Sequence, residues 1–166
     1  MALTYIWGQD QAVAGFVARS KLASGFSQRA EFTDSNLKAV GIADANGQLI
    51  AGIVYFNYNP EAGTIEMSAE ALPRQSWLTL PTLAVMFWYP FVHCGCQMLM
   101  TRTSARSLHV QRMLGAMNFS LIRIPRAGGR DEDGILGLLT YEDWLASKFC
   151  KRLRRHSAPA TTRAAA

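Results

Sequence analysis

Thr64-Ile-Glu-Met-Ser-Ala-Glu-Ala71 runs directly into Leu72-Pro-Arg-Gln-Ser-Trp-Leu-Thr79, and Pro81 follows. The first half alternates and predicts a strand over 64–71. Glu66, Ser68 and Glu70 then share one face, opposite Ile65, Met67 and Ala69. The second half is a polar, basic turn, and Pro81 marks the opening of a helix. Such a turn is a ready anion site, because backbone N–H groups at a helix start have no intrahelical carbonyl to bind. After Glu70 the next acidic residue is Asp131, and Arg74, Arg102, Arg106, Arg112, Arg123, Arg126 and Arg130 lie between them. The stretch reads as a holder of a phosphorylated cofactor.

Upstream, residues 38–44 and 48–58 read as strands around Ala45-Asn46-Gly47. Asn-Gly between apolar runs is a strong hairpin signal, since both residues accept positive φ. Pro60-Glu61-Ala62-Gly63 makes the next turn, so three antiparallel strands in a row are expected. Asp10 is placed as the cap of a first helix over 11–22, with Val13, Phe16 and Val17 on one face. Residues 23–38 have no clean period and are read as a loop with a short helix.

Downstream, Leu80, Leu83, Ala84, Phe87, Trp88 and Phe91 recur at helical spacing and form a core stripe. Pro90 should kink or end that helix, because the Met86 carbonyl loses its donor. A strand is expected over 96–101. Ser104 is then read as the cap of a helix to Leu114 that Gly115 stops. Strands over 119–124 and 135–140 flank a charged, glycine-rich loop, and residues 141–149 form a terminal helix with Trp144 and Leu145 inward.

Composition sets the limits. At 166 residues, 49% hydrophobic and 17% charged, the chain has room for one domain with a full core. Three cysteines make no disulfide framework and fit a reducing compartment, with a cytoplasmic location expected. Cys94-Gly-Cys96 is read as buried thiols. The apolar run 77–92 is broken by prolines and is shorter than the roughly 20 residues that span a bilayer, so no membrane association is expected. The net charge of +5 belongs to the end of the chain: six cations follow residue 147 with no acid, leaving 11 basic against 12 acidic residues in the body. A domain over 1–149 and a basic, low-complexity tail over 150–166 are therefore expected.

The order helix, hairpin, strand, anion turn, helix, strand, serine-capped helix, strand resembles the GNAT N-acetyltransferase superfamily over roughly residues 4 to 145. Arg74-Gln-Ser-Trp77-Leu-Thr79 is similar to that family's pyrophosphate loop. Trp77 and Thr79 stand where the family has small residues. Ser104-Ala-Arg-Ser107 and Leu114-Gly115-Ala-Met-Asn-Phe119 are similar to its later Asn-x-x-Ala/Ser and Leu-Gly-Phe segment. Tyr89-Pro-Phe91 also matches many members. Gln111 falls where many carry the tyrosine that protonates the leaving thiolate.

The resemblance implies an α/β fold: a mixed, mostly antiparallel twisted sheet flanked by helices in a single domain. It also implies acetyl-CoA as cofactor and transfer of its acetyl group to an amine by direct attack on the thioester. Coenzyme A would be held by Ala71, Leu72, Arg74, Gln75, Ser76, Trp77, Leu78, Thr79, Ser104 and Ser107. Amine acylation needs a base for the ammonium proton. Glu66 and Glu70 are the only carboxylates in the central segment, which makes them the candidates, and His109 could serve as an acid. The competing reading is a catalytically degenerate binding module that keeps the fold and retains coenzyme A or a partner. The partners expected are an amine-bearing acceptor, a second copy in a homodimer, and an acidic partner or polyanion at the tail.

Overall fold

The computed structural model describes residues 2–23 and 36–157. The region 24–35 and the end of the chain from 158 lie outside it, and with them most of the stretch read as a loop with a short helix. Among the described residues seven strands form one mixed sheet in the order β1-β2-β3-β4-β5-β7-β6. They are β1 Thr4–Ile6, β2 Lys38–Ala43, β3 Leu49–Asn59, β4 Thr64–Ala71, β5 Met98–Ser104, β6 Ser120–Gly129 and β7 Glu132–Thr140. Among the described residues five α-helices accompany them: α1 Asp10–Ala23, α2 Leu80–Trp88, α3 Leu108–Ala116, α4 Tyr141–Ala146 and α5 Lys148–Ser157. The expected fold class is the one observed: a single domain with a mixed sheet flanked by helices.

α1 covers one face of β2, β3 and β4. Val13 and Val17 press so closely on Gly52 that a Cβ there would lie 2.8 Å from each. On the opposite face Tyr55, Ile65, Leu83, Met86, Phe87, Leu114, Trp144 and Cys150 belong to the main core.

Several local readings are corrected. Asp10 opens α1 but its carboxylate reaches across to β2, accepting from the Ala39 amide at 2.8 Å and from Lys38 at 3.4 Å. In the hairpin only Gly47 takes positive φ; Asp44 Oδ1 accepts from the amides of Asn46 and Gln48, and a bulge at Ile42/Ala43 absorbs the extra residue. Ser104 is the last residue of β5, paired with Gly134, and α3 begins only after Ser107.

α3 also runs through Gly115. Its stop is Asn118 at φ +72°, with the Phe119 amide on the Leu114 carbonyl and the Asn118 amide on the Gly115 carbonyl, the Schellman pattern. The charged loop after Pro125 is mostly strand: β6 continues past a bulge to Gly129 and turns directly into β7. Pro125 is tolerated because β6 is an edge strand.

The terminal helix breaks at Ser147, whose Oγ accepts from the Cys150 amide and starts α5. α5 therefore crosses the boundary placed at 149/150. Cys150 is buried, and Phe149 and Leu153 pack on the main core.

Candidate active site

β4 and β5 are parallel neighbours only from Thr64↔Met98 to Glu66↔Met100. β4 then continues to Ala71 against β3, and β5 continues to Ser104 against β7, so the two part and leave facing edges without ladder partners. A cleft of about 310 Å³ opens between them. Its walls come from β4 (Ser68, Glu70, Ala71), from the following turn (Trp77, Leu78), from β5 (Arg102, Thr103) and from α3 (Ser107, His109, Val110, Met113). The two motifs that the sequence separates by some thirty residues thus face each other across one opening.

The turn 72–79 is tightly tied. The Trp77 carbonyl accepts from the Thr79 amide at 3.0 Å and from Thr82 Oγ1 at 2.6 Å. Thr79 caps α2 by accepting from the Thr82 amide, and the Gln75 amide turns back to the Leu72 carbonyl. Since Thr82 donates to Trp77, its Oγ1 accepts the protons of Thr79 Oγ1 and of the Tyr5 phenol, at 3.0 and 3.1 Å. Among the described residues the amides of Ser76, Trp77 and Leu78 have no protein acceptor. Arg74 precedes them at φ +63°. The anion-binding character expected of this turn therefore rests on three consecutive amides, with the Thr79 amide withdrawn.

The two candidate bases are placed differently. Glu70 lines the cleft. Glu66 is buried below it, with one oxygen accepting from Asn57 Nδ2 at 3.1 Å and the other 3.5 Å from Arg102 Nε. Asn57 reaches it from a bulge in β3, at φ +50°. Between the two carboxylates, Ser68 is buried and its hydroxyl has no hydrogen-bond partner among the described residues. Sequence reasoning placed Ser68 on the correct face and gave it no role; only the structure reveals the unmet hydroxyl.

On the opposite wall Ser107 lines the cleft and makes no side-chain capping bond. Ser104 does not reach the cleft: its hydroxyl bonds Glu132 and accepts the Arg106 amide. Gln111 donates to the carbonyls of Ala105 and Ser104, which ties it to the preceding turn, whereas His109 lines the cleft.

The cysteines lie elsewhere, beyond α2. Burial pushes the Cys96 thiol up to about 11 and also raises Cys94, whose bond to the Tyr89 hydroxyl opposes the shift. Both are thiols at neutral pH. Among the described residues no group of three His, Cys, Asp or Glu is arranged to hold a metal ion, and no helix is long and apolar enough to cross a membrane.

A mixed sheet that parts between two parallel central strands, beneath a strand–turn–helix crossing, is the fold of GNAT-type acetyltransferases. Among solved structures, a protein provisionally described as an acetyltransferase superposes with TM-score 0.71 at 13% identity, covering 94% of each chain. The spermidine N-acetyltransferase SpeG from Vibrio cholerae, in complex with CoA and spermine, superposes with TM-score 0.68 at 13% identity over 86% of this chain and 98% of that one. A dodecameric structure of the same Vibrio cholerae enzyme gives TM-score 0.65 at 13% identity, over 86% and 96% of the two chains. No protein-family model matches the chain, and no curated protein matches it by sequence. The likeness is one of fold.

Proposed function

We propose that this protein is an acetyl-CoA-dependent N-acyltransferase in which an amine attacks the thioester directly. The observation that carries the proposal is the end of β4–β5 pairing at Glu66↔Met100, which leaves two strand edges facing one cleft. Exposed edge amides and carbonyls suit an extended ligand that itself carries amides, as the pantetheine arm of coenzyme A does. The three unpaired amides at 76–78 and the cation of Arg74 suit its pyrophosphate. Ala71, Leu72, Gln75 and Thr79 would shape that turn, and Ser107 would face the arm from α3. Ser104 supports the α3 turn instead of touching the ligand.

When bound, acetyl-CoA supplies an acetyl group activated as a thioester. Glu70 accepts the proton of the acceptor ammonium, directly or through a water, and exposes the nitrogen lone pair. The nitrogen would form the new C–N bond as the C–S bond breaks and would give up its second proton to water, while His109 would supply the proton that the departing sulfur takes up. Glu66 holds Arg102 instead of acting as the base, because both of its oxygens are engaged.

A second reading, a binding module without turnover, is favoured by the closed turn at Trp77 and by the tethering of Gln111. Incubation with acetyl-CoA and a panel of amines, followed by thiol release, separates the two. Release dependent on an amine supports the enzyme; coenzyme A binding without release supports the module. Absence of both overturns the cofactor assignment.

A further inference from the structure

Arg102 stands at the mouth of the cleft with an exposed side chain. Its Nε faces Glu66, while its terminal nitrogens have no hydrogen bond to any described residue. Glu66 is itself fixed by Asn57 at the β3 bulge, so the guanidinium is held from behind and open in front. A held guanidinium with an open edge matches a carboxylate, whose two oxygens lie at the spacing of two N–H groups.

The surface beside it is apolar. Cross-strand partners share a face, so Arg102, Leu136 and Ile122 form one row and Met100, Leu138 and Ser120 the next. β4 joins this face through Glu66↔Met100, which puts Glu66, Ser68 and Glu70 on the same side. Ile122 and Ile124 are 47% and 38% exposed. From the cleft outward this face therefore offers a carboxylate with an unmet hydroxyl beside it, then a cation, then an apolar floor.

We propose that the acceptor is a small amine that also carries a carboxylate and an apolar body, such as an apolar amino acid or a close analogue. Its amine meets Glu70 and Ser68, its carboxylate meets Arg102, and its body lies on Met100, Leu136 and Ile122. Ser68 Oγ, buried without a partner, gains an acceptor or donor when the amine arrives. A polyamine is disfavoured, because its second ammonium would approach the Arg102 cation. This assignment rests on the acyltransferase reading above.

The test pairs leucine, phenylalanine and 6-aminohexanoate with their carboxylate-free counterparts isoamylamine, phenethylamine and hexylamine, and adds spermidine. Amine-dependent thiol release from acetyl-CoA gives kcat/KM for each. Calorimetry of N-acetyl-leucine and N-acetyl-isoamylamine on the protein saturated with coenzyme A gives a readout that needs no turnover. The expected result is a preference of about 10–100-fold for the carboxylate-bearing member of at least one pair, the scale of a hydrogen-bonded charge. Arg102→Ala should abolish it by raising KM for that member alone, while Arg102→Lys restores part of it.

Equal or better use of carboxylate-free amines or spermidine overturns the acceptor assignment and leaves the acyltransferase reading standing. So does Arg102→Ala weakening both members alike. Absence of both turnover and coenzyme A binding overturns that reading as well. If coenzyme A binds without turnover, N-acetyl-leucine binding no tighter than N-acetyl-isoamylamine overturns the acceptor assignment.

Discussion

The phenol of Tyr55, buried in β3, donates a 2.8 Å hydrogen bond to the carbonyl of Met86 in α2. Pro90 has no N–H, so the i→i+4 bond to that carbonyl cannot form. The helix does not end there; it widens into a π-helical turn, Tyr89–His93, in which the Cys94 amide bonds the Tyr89 carbonyl. A donor from the sheet thus satisfies the carbonyl that proline orphans, and burial holds the phenol pKa well above its ordinary value, so it remains a donor. Tyr55→Phe should cost about 1–3 kcal/mol, the penalty of an unmet buried carbonyl. The cost should shrink in a Pro90→Ala background, where an amide is returned. Urea denaturation of the four proteins in this cycle measures both, and equal costs in the two backgrounds would show that the Tyr55 bond does not substitute for the amide missing at Pro90.

Arg74 lies at φ +63°, where a residue with a Cβ is strained. Arg74→Gly relieves that strain while removing the cation beside the free amides. Thermal stability should hold or rise, and coenzyme A affinity should fall by about 1–3 kcal/mol. Calorimetry and a melting curve on the same protein read the two effects in opposite directions. Affinity at the parental level would confine anion binding to the amides.

The hairpin, β4 and the turn that leads into α2 are legible in the sequence because the side chains that set them are neighbours in the chain. Asn46-Gly47, the alternation 64–71 and Thr79-Leu-Pro81 each carry their own signal. What the sequence hid depends on partners far along it. Ser104 has the chemistry of a helix cap, but Glu132 in β7 and the Arg106 amide engage its hydroxyl. Gly115 looked like a helix stop; Asn118 supplies the left-handed residue instead, and its side chain also bonds the Asp143 carbonyl. β1 is three residues long and gains strand character only by pairing with β2. At the site, Glu66 and Glu70 were equivalent in sequence. They differ because Asn57 and Arg102, from two other strands, reach Glu66, while Glu70 lines the cleft.

That difference makes a kinetic prediction. Glu70→Gln should lower turnover of a responsive amine by about 10²–10⁴-fold with coenzyme A affinity unchanged, as loss of a general base does. The acid limb of the parental pH–rate profile should disappear with it. Glu66→Gln should act mainly on acceptor KM, by loosening Arg102. The opposite pattern, with Glu66→Gln removing the acid limb, would reverse the two roles.

Asp133 joins β7 to the bulged part of β6. The Arg126 amide first, and then the Arg123 side chain at 2.7 Å, hold its carboxyl below the ordinary carboxylate range. A folded-state pKa below the unfolded one stabilises above the unfolded value, and the gain is lost as pH falls through the folded value. Asp133→Asn should therefore melt below the parent at pH 7. The gap should narrow as pH falls below the ordinary aspartate value of about 3.9 and close once it has passed below the folded value. A gap that does not narrow at all on acidification below the ordinary aspartate value would assign the loss to the Arg126 amide contact and not to ionisation.

The cations at the end of the chain are partly folded. On α5, Phe149, Cys150 and Leu153 turn inward, while Lys148, Lys151, Arg152 and Arg155 recur at the i, i+3, i+4, i+7 spacing of the opposite, exposed face. No acidic group among the described residues pairs with them. At physiological salt their field fades over about 8 Å, so they act on a partner they nearly touch. Lys151→Glu with Arg155→Glu should leave stability near the parent and sharply reduce retention on a polyanion column. Truncation after Ser157 should leave both stability and most retention intact. Truncation after Lys148 removes buried Cys150 and half-buried Leu153, and should destabilise the domain by about 2–5 kcal/mol. Retention unchanged in the double variant would remove the α5 stripe as the contact and leave it to the residues beyond 157.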